Sequence, residues 1–233
     1  MNIYAEFQDL KHNQRKALAI LIDPDRLKPS EVKKTVKKIN KAKADYIFVG
    51  GSFISHNHFK KIVKKLQKHS DLPVIIFPGS TMQISKKADA LLFLSLISGR
   101  NPEYLIGKQV EAAPILQQIG LETISTGYIL VENGHTTSVE YITNTKPIPR
   151  RKTGLALATA LAGQMLGHKL IYLEAGSGAL ESVPLSMIQK IHKHLNIPLI
   201  VGGGVKNRQQ ILEIWNAGAD IVVVGTAFEN GAF

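Results

Sequence analysis

The sequence contains no cysteine and no long apolar run, and these two absences limit the metal sites, cross-links and membrane segments that it can form. Without cysteine there is no disulfide framework and no thiolate metal site, so any bound metal must be held by oxygen or imidazole ligands. No run of about 18 apolar residues is present, and residues 1–10 lack the charged start and apolar core of a secretory signal. We therefore expect a cytoplasmic protein without a membrane-spanning helix.

Positive charge is concentrated near the start of the chain. Residues 1–70 carry 16 Lys and Arg against 6 Asp and Glu, whereas residues 71–233 carry 13 against 12. Many of the lysines have the spacing expected for the solvent-exposed faces of two amphipathic helices. They are Lys33, Lys34, Lys37, Lys38, Lys41, Lys43, Lys60, Lys61, Lys64, Lys65 and Lys68. Such a face is either simply solvated or attracts anions such as lipid headgroups or a phosphorylated substrate. Interleaved aromatics and any recognisable DNA or RNA module are missing, so nucleic acid is not a predicted partner.

Short runs rich in Val, Ile and Leu alternate with longer polar-periodic segments, which is the pattern of βα units around a parallel sheet. The runs are apolar almost throughout, as expected for strands covered on both faces. They span residues 17–22, 45–49, 73–77, 90–94, 122–130, 170–173, 198–201 and 221–224. Eight strands in a chain of this length predict an α/β fold in which residues 1–233 form a single (β/α)8 TIM barrel domain.

Helices are predicted at residues 29–43, 57–69, 102–119 with a break near Pro114, 151–166, 184–195 and 208–216. Only about a dozen residues separate strands three and four, too few for a helix with two loops. We therefore expect a modified barrel in which helix 3 is lost or replaced by an extended segment. Asn133-Gly134, between residues 128–131 and 137–141, predicts a β-hairpin after strand five that forms one wall of the mouth.

Glycine loops follow the last three predicted strands, at residues 176–178, residues 202–204 and Gly225. Active sites of such barrels lie at this end of the strands. Glycine allows the backbone to approach closely, so several N–H groups can converge on a phosphate. Any one of these loops could be only a tight turn, but three on consecutive strands favour a phosphate site. A nucleotide site is not predicted, because Glu181 stands at the third glycine of the dinucleotide pattern.

Three carboxylates follow or end predicted strands. Asp23 and Asp25 offer the oxygen ligands that Mg²⁺ uses when it is shared with substrate phosphates. One of them could instead cap the following turn, and we expect that role for Asp25. Glu174 could serve as a general base towards a ligand hydroxyl, or it could form only a structural salt bridge.

Two other functions remain open at the level of residue chemistry. One is a different phosphate-binding barrel enzyme, of the isomerase or aldolase type, which would share the glycine loops. The other is a non-catalytic protein that uses the basic N-terminal helices to bind membrane or nucleic acid. The first lacks an evident second acid/base residue or Schiff-base lysine at a strand end, and the set of Asp23, Ser52 and Glu174 argues against the second.

As a set, several motifs resemble those of one enzyme family along nearly the whole chain. They are residues 21–25 (LIDPD), 49–52 (VGGS), 77–80 (FPGS), 101–107 (NPEYLIG), 127–130 (GYIL), 137–141 (TSVEY), 172–178 (YLEAGSG), 201–204 (VGGG) and 224–226 (VGT). The chain resembles geranylgeranylglyceryl phosphate synthases and their bacterial heptaprenylglyceryl phosphate relatives, and in particular the second of the two family groups.

The resemblance implies a prenyltransferase that joins the C3 hydroxyl of sn-glycerol 1-phosphate to a prenyl diphosphate, most often geranylgeranyl diphosphate. It implies that Asp23 and Ser52 bind Mg²⁺ and that Glu174 is the catalytic carboxylate. The residues implied to bind glycerol phosphate are Tyr172, Leu173, Glu174, Ala175, Gly176, Ser177, Gly178, Gly203, Gly204, Gly225 and Thr226. An apolar groove for the tail is expected beside the lost helix and the 102–119 segment. A homo-oligomer, dimer or hexamer, is also implied, and the apolar helix predicted at 153–166 fits one.

Overall fold

The computed structural model describes residues 2–55 and 58–232, in which eight parallel strands close into a barrel in chain order. The strands are β1 (Ala17–Ile22), β2 (Tyr46–Val49), β3 (Val74–Ile76), β4 (Ala90–Leu96), β5 (Glu122–Leu130), β6 (Leu170–Glu174), β7 (Leu199–Gly202) and β8 (Ile221–Val224). β8 pairs with β1, which closes the ring. The predicted barrel is confirmed, with strand ends within two residues of those expected.

Helices surround the sheet and connect its strands. They are α1 (Ile3–His12), α2 (Val32–Lys41), α3 (Phe59–His69), α4 (Lys108–Ile119), α5 (Ser138–Thr143), α6 (Thr153–Met165), α7 (Leu185–His192), α8 (Arg208–Asn216) and α9 (Thr226–Glu229). A π-helical turn, Glu103–Gly107, precedes α4. The predicted start of the second helix at Asn57 lies outside the described residues. No helix of the described residues is both long and apolar enough to cross a membrane.

The predicted loss of the third barrel helix is confirmed. Residues 77–89, between β3 and β4, contain turns and bends but no helix. Ile84 and Ala88 from this segment pack into the outer core, so the segment covers part of the sheet without filling a helix's place. The outer ring is therefore thinner here than elsewhere.

Two predictions for irregular segments were wrong. Residues 137–141 are not the second strand of a hairpin, because the Thr137 hydroxyl accepts the N–H of Glu140 at 3.2 Å and begins helix α5. This Thr-x-x-Glu spacing is a helix-start signal that outweighed the turn signal of Asn133-Gly134. Helix α4 also continues through Pro114, because a proline there removes one backbone hydrogen bond without ending the helix.

Alternating strand residues divide the core between two layers. In β1, Leu18, Ile20 and Ile22 face the outer helices, whereas Ala17 and Ala19 face the barrel interior. The buried side of α1 packs into that interior from the end at which the strands begin. Glu122 of β5 accepts the N–H groups of Ile3 and Tyr4 at 2.9 and 2.8 Å, which satisfies the first turn of α1. Helix α1, which the sequence did not predict, thus seals the lower end of the barrel.

Candidate active site

A cavity of about 490 Å³ opens at the carboxyl ends of the strands, within the size range of small-ligand sites. It brings together most of the predicted site residues: Asp23, Ser52, Tyr172, Glu174, Gly176, Ser177, Gly178, Gly203, Gly204, Gly225 and Thr226. Leu173 and Ala175 do not line it, because their side chains are buried in the outer core. Strand alternation explains this difference, since neighbours of the inward-facing Tyr172 and Glu174 must face outwards.

Glu174 is a buried carboxylate at the centre of this cavity wall. Its side chain is 6% exposed, and its Oε1 accepts the N–H of Gly176 at 2.6 Å. Burial raises the pKa of Glu174 to about 7, although the Gly176 N–H and the neighbouring Tyr172 hydroxyl favour the charged form. A carboxyl group with this pKa can accept a proton near neutral pH.

Stacked aromatic rings form the base of the site inside the barrel. The rings of Tyr172 and Phe77 are stacked with centroids 5.0 Å apart, and Tyr128 lies 5.5 Å from Tyr172. The buried Tyr172 hydroxyl lies beside the Glu174 carboxylate, but no hydrogen bond of good geometry joins it to any of the described residues. Burial raises the pKa of Tyr172 well above its ordinary value, and the nearby Glu174 carboxylate adds to this effect, so the hydroxyl keeps its proton. It can therefore donate a hydrogen bond to a bound ligand.

The loop after β7 approaches the loop after β6 too closely for any side chain. Gly203 has a φ of +82°, and a Cβ atom there would lie 2.6 Å from the Gly176 nitrogen and 2.7 Å from the Ala175 nitrogen. Asn133 holds the loop after β6 in place, because its Nδ2 donates a hydrogen bond to the Ala175 carbonyl at 2.5 Å. Glycine at this position therefore keeps backbone groups of two loops accessible at the cavity wall.

The loops after β1 and β2 hold the two predicted metal ligands at the opposite wall. Asp23 Oδ1 accepts the N–H of Asp25 at 2.9 Å, so Asp23 and not Asp25 caps this turn. Asp25 instead accepts the N–H and hydroxyl of Ser55 at 2.6 and 2.8 Å, which ties the two loops together. Burial raises the pKa of Asp23, and the Asp25 N–H and Arg26 oppose that rise.

Gln83, which the sequence did not suggest, fixes the residue before Ser52. Its Nε2 donates to the Gly51 carbonyl at 2.7 Å, and its Oε1 accepts the Gly51 N–H at 3.2 Å. Gln83 is fully buried in the extended 77–89 segment. The segment that replaces the lost helix therefore also positions the β2 loop.

A second, apolar cavity leads away from the mouth through the gap left by the lost helix. It meets the first cavity at Ser52, Phe77 and Tyr128, and continues along β4 to Ala112 and Leu116 of α4. Helix α5 closes another side with Val139 and Ile142, so the segment mispredicted as a hairpin does form a wall. We call this space the apolar groove. Its position agrees with the one expected for a prenyl tail, beside the lost helix and the 102–119 segment.

The fold itself is shared with enzymes of other function. N-acetylmannosamine-6-phosphate 2-epimerase from Clostridium perfringens superposes with a TM-score of 0.58 at 11% sequence identity, over 95% of this chain and 90% of that chain. At that identity the likeness concerns the fold alone.

Sequence comparison identifies the family. The model of the PcrB family matches residues 11–232. The chain belongs to this family. Among curated members, the geranylgeranylglyceryl phosphate synthase of Flavobacterium johnsoniae is 53% identical over 228 residues, covering 98% of this chain and 94% of that protein. The synthase of Methanosphaera stadtmanae is 46% identical over 209 residues, covering 90% and 85%.

A solved member of the family has nearly the same fold. The (S)-3-O-geranylgeranylglyceryl phosphate synthase of Thermoplasma acidophilum, solved in complex with its substrate sn-glycerol-1-phosphate, superposes with a TM-score of 0.93. It is 35% identical in sequence, and the match covers 99% of this chain and 93% of that one. The family membership inferred from the motifs is confirmed.

Proposed function

We propose that this chain is a geranylgeranylglyceryl phosphate synthase, a prenyltransferase that joins sn-glycerol 1-phosphate to geranylgeranyl diphosphate through an ether bond. One observation carries the proposal: the cavity walled by glycine loops, which Glu174 lines, meets the apolar groove at Ser52, Phe77 and Tyr128. A phosphorylated alcohol and a hydrocarbon tail need these two environments, and the transferred group must lie where they join. The names of the curated relatives and of the solved neighbour support the same activity.

The glycerol phosphate is proposed to bind at the loops after β6, β7 and β8. Backbone N–H groups near Gly176, Gly203 and Gly225 would receive the phosphate, because glycine leaves them accessible. Tyr172, Ser177 and Thr226 offer hydroxyl groups at the same wall. Leu173 and Ala175 would contribute only backbone groups. In this position the C3 hydroxyl of glycerol phosphate would lie within reach of Glu174.

The prenyl tail is proposed to occupy the apolar groove. Its walls include leucines of β4 with Ala112 and Leu116 of α4, and they provide mainly apolar contacts. The diphosphate end would then lie at Ser52, where the groove meets the polar cavity. Burying the tail is favourable by about 0.8 kcal/mol per methylene, which suits a long hydrocarbon substrate.

Magnesium is the proposed cofactor, and the residues present fit it. Asp23 and Ser52 offer a carboxylate and a hydroxyl oxygen at the diphosphate end of the groove. Within residues 2–55 and 58–232, no group of three His, Cys, Asp or Glu side chains could hold a metal alone. Mg²⁺ suits such a site because it takes few protein ligands and shares substrate phosphates. When bound, it would neutralise negative charge on the departing diphosphate.

The residues of the chain then account for the transfer step. Glu174 would accept the proton of the C3 hydroxyl as that oxygen attacks the allylic carbon. The new C–O bond forms while the bond to diphosphate breaks, and diphosphate leaves with the electron pair. Tyr172 would orient the attacking oxygen, and the rings of Phe77 and Tyr128 would keep water away from the allylic carbon.

A substrate series tests this proposal. Purified protein is incubated with Mg²⁺, labelled glycerol 1-phosphate and prenyl diphosphates of ten to thirty-five carbons, and the ether product is counted. We expect product with Mg²⁺ and little without it, with the best turnover for the twenty-carbon substrate. Failure to form product from any chain length would refute the enzyme assignment.

The remaining proposals concern the state of the protein. We propose that residues 1–233 form one barrel domain, that the protein is cytoplasmic, and that it is a homo-oligomer, either a dimer or a hexamer. Exposed apolar side chains on and after α6 support an oligomer: Leu155, Met165 and Leu166 are 50%, 82% and 78% exposed. Sedimentation at micromolar concentration should therefore report a mass above that of one chain.

A further inference from the structure

Two neighbouring helices of the outer ring have strongly basic outer faces. Helices α2 and α3 pack against each other, and each turns its apolar residues inwards. We define the lysine surface as their exposed lysines, which are Lys33, Lys34, Lys37, Lys38, Lys41, Lys60, Lys61, Lys64 and Lys68. Residues 32–44 and 58–70 contain no acidic residue. No salt bridge of the described residues involves any of these lysines.

This arrangement works against the stability of both helices. Lys33 and Lys37 form a like-charged pair four residues apart, as do Lys60 and Lys64, and such pairs destabilise a helix. Lysines also occupy the first turn of each helix, where the helix dipole disfavours positive charge. These lysines therefore do not stabilise the fold. Their clustering indicates that they bind a negatively charged partner.

Two exposed apolar side chains lie on the loops that border the substrate cavities, and one of these loops precedes α3 in the chain. Phe53, in the loop between β2 and α3, is 68% exposed and lines the mouth. Met82 is 76% exposed in the 77–89 segment, whose neighbouring residues Thr81 and Ile84 line the apolar groove. Basic residues beside exposed apolar ones are typical of surfaces that lie on a membrane.

We propose that the lysine surface docks this protein on an anionic lipid bilayer, with Phe53 and Met82 at the interface and the apolar groove close to the membrane. Charge complementarity supports this occupant, because lysines near an anionic leaflet each favour binding. Nucleic acid fits less well, since no aromatic side chain lies among the exposed lysines of the two helices for bases to stack on. The link to substrate rests on the proposed function: a long-chain prenyl diphosphate partitions into bilayers and could enter the groove directly.

Vesicle co-sedimentation of the full chain tests the docking without any substrate. The test variant carries Lys37→Gln, Lys41→Gln, Lys61→Gln and Lys64→Gln, all at exposed positions that line neither substrate cavity. The matched control carries Lys146→Gln, Lys152→Gln, Lys190→Gln and Lys193→Gln, which removes the same charge from exposed positions elsewhere. Thermal unfolding confirms that both variants fold.

Wild type should sediment with vesicles of phosphatidylcholine and phosphatidylglycerol at low salt, and not with phosphatidylcholine alone. The test variant should lose about tenfold or more in partition coefficient, whereas the control should change by about twofold or less. Equal loss in both variants, no binding of wild type to anionic vesicles, or tighter binding to single-stranded RNA than to vesicles would overturn the proposal.

An activity measurement separates this inference from the proposed function. With soluble ten-carbon prenyl diphosphate, wild type and the test variant should turn over equally. With the twenty-carbon substrate carried in anionic vesicles, the test variant should be about tenfold slower at limiting vesicle concentration. Equal rates on vesicles would contradict membrane delivery. Absence of turnover with every substrate would refute the proposed function, while the vesicle-binding result would still stand.

Discussion

Both ends of the barrel contain carboxylate side chains, but the hydrogen bonds of these carboxylates differ between the two ends. At the lower end, Asp45, Asp89 and Asp220 each precede a strand and accept the N–H of the neighbouring strand, at 2.8, 2.7 and 2.9 Å. Helix α1 then covers this end, and Glu122 satisfies its first turn. At the upper end, Glu174 is also buried, as Asp220 is, yet it accepts a single N–H and faces an open cavity.

The difference separates residues that hold the barrel closed from residues that carry its chemistry. A carboxylate that accepts ladder N–H groups contributes to stability through those bonds. Burial instead raises the pKa of Glu174, because it destabilises the charged carboxylate and so makes that carboxylate more basic. We therefore expect substitutions at the lower end to change stability and substitutions at the upper end to change turnover.

Replacing Glu174 with Gln should have the largest effect. The amide keeps the size and hydrogen-bonding reach of the side chain but cannot accept the proton of the glycerol phosphate hydroxyl. We expect kcat to fall about 100- to 10,000-fold with little change in prenyl diphosphate binding. Steady-state kinetics and calorimetric binding measure the two quantities. A variant with near-normal kcat would mean that the base is another group.

Asp220→Ala, at the lower end of the barrel, should reduce stability and leave turnover unchanged. Asp220 is 1% exposed, accepts the Leu199 N–H and lies 3.8 Å from both Lys11 and Lys16. Its loss leaves a buried N–H without a partner, so we expect the free energy of unfolding to fall by about 2–4 kcal/mol.

The exposed Asp45 provides the matched control. Asp45→Ala removes an equivalent bond where water can replace it, and should cost about 1 kcal/mol or less. Denaturant titration measures both values, and kcat of each variant should stay close to that of wild type. A large loss of kcat in Asp220→Ala without a loss of stability would erase the distinction between the two ends.

Gly203→Ala and Gly120→Ala form the third comparison, between two glycines with positive φ. At Gly203 a Cβ atom would collide with the loop that follows β6, whereas at Gly120 it would meet nothing within 4 Å. Gly120→Ala should lose about 1 kcal/mol of stability from backbone strain, and Gly203→Ala should lose about 1–3 kcal/mol more because the loop after β6 must shift. Only Gly203→Ala should also weaken glycerol 1-phosphate binding, by about tenfold, since one lost contact of 1.4 kcal/mol has that effect. Equal binding by both variants would argue against the proposed phosphate position.

The regular parts of the barrel could be predicted because burial on both sides leaves a simple sequence pattern. Most of the eight strands are rich in Val, Ile and Leu, and their order in the chain determined which loops lie at the same end of the barrel. The loss of helix 3 followed from chain length between β3 and β4. Asp23, Ser52 and Glu174 were found for the same reason, since Asp23 and Ser52 lie just after strands and Glu174 ends β6.

The missed features depend on contacts between distant residues. Helix α1 is held by Glu122, which lies 119 residues from Ile3, so local sequence does not report it. Gln83 acts on Gly51 through folding of the extended segment. Two local patterns do indicate features of the fold. The Thr-x-x-Glu spacing at Thr137 indicates the start of α5, and an Ala-Asp dipeptide precedes β2, β4 and β8.

The central claim, that burial in the mouth makes Glu174 a base near neutral pH, can be measured directly. Carbon-detected NMR of carboxyl groups, with Glu174→Gln used for assignment, should find a titration midpoint of about 7 for Glu174. Because the folded pKa is raised, the protonated form stabilises the protein at low pH, and this contribution is lost as pH rises from about 4.5 through 7. Glu174→Gln should accordingly gain stability over wild type above about pH 7 and not below pH 4.5. A midpoint near the ordinary value of 4.5 would contradict the account.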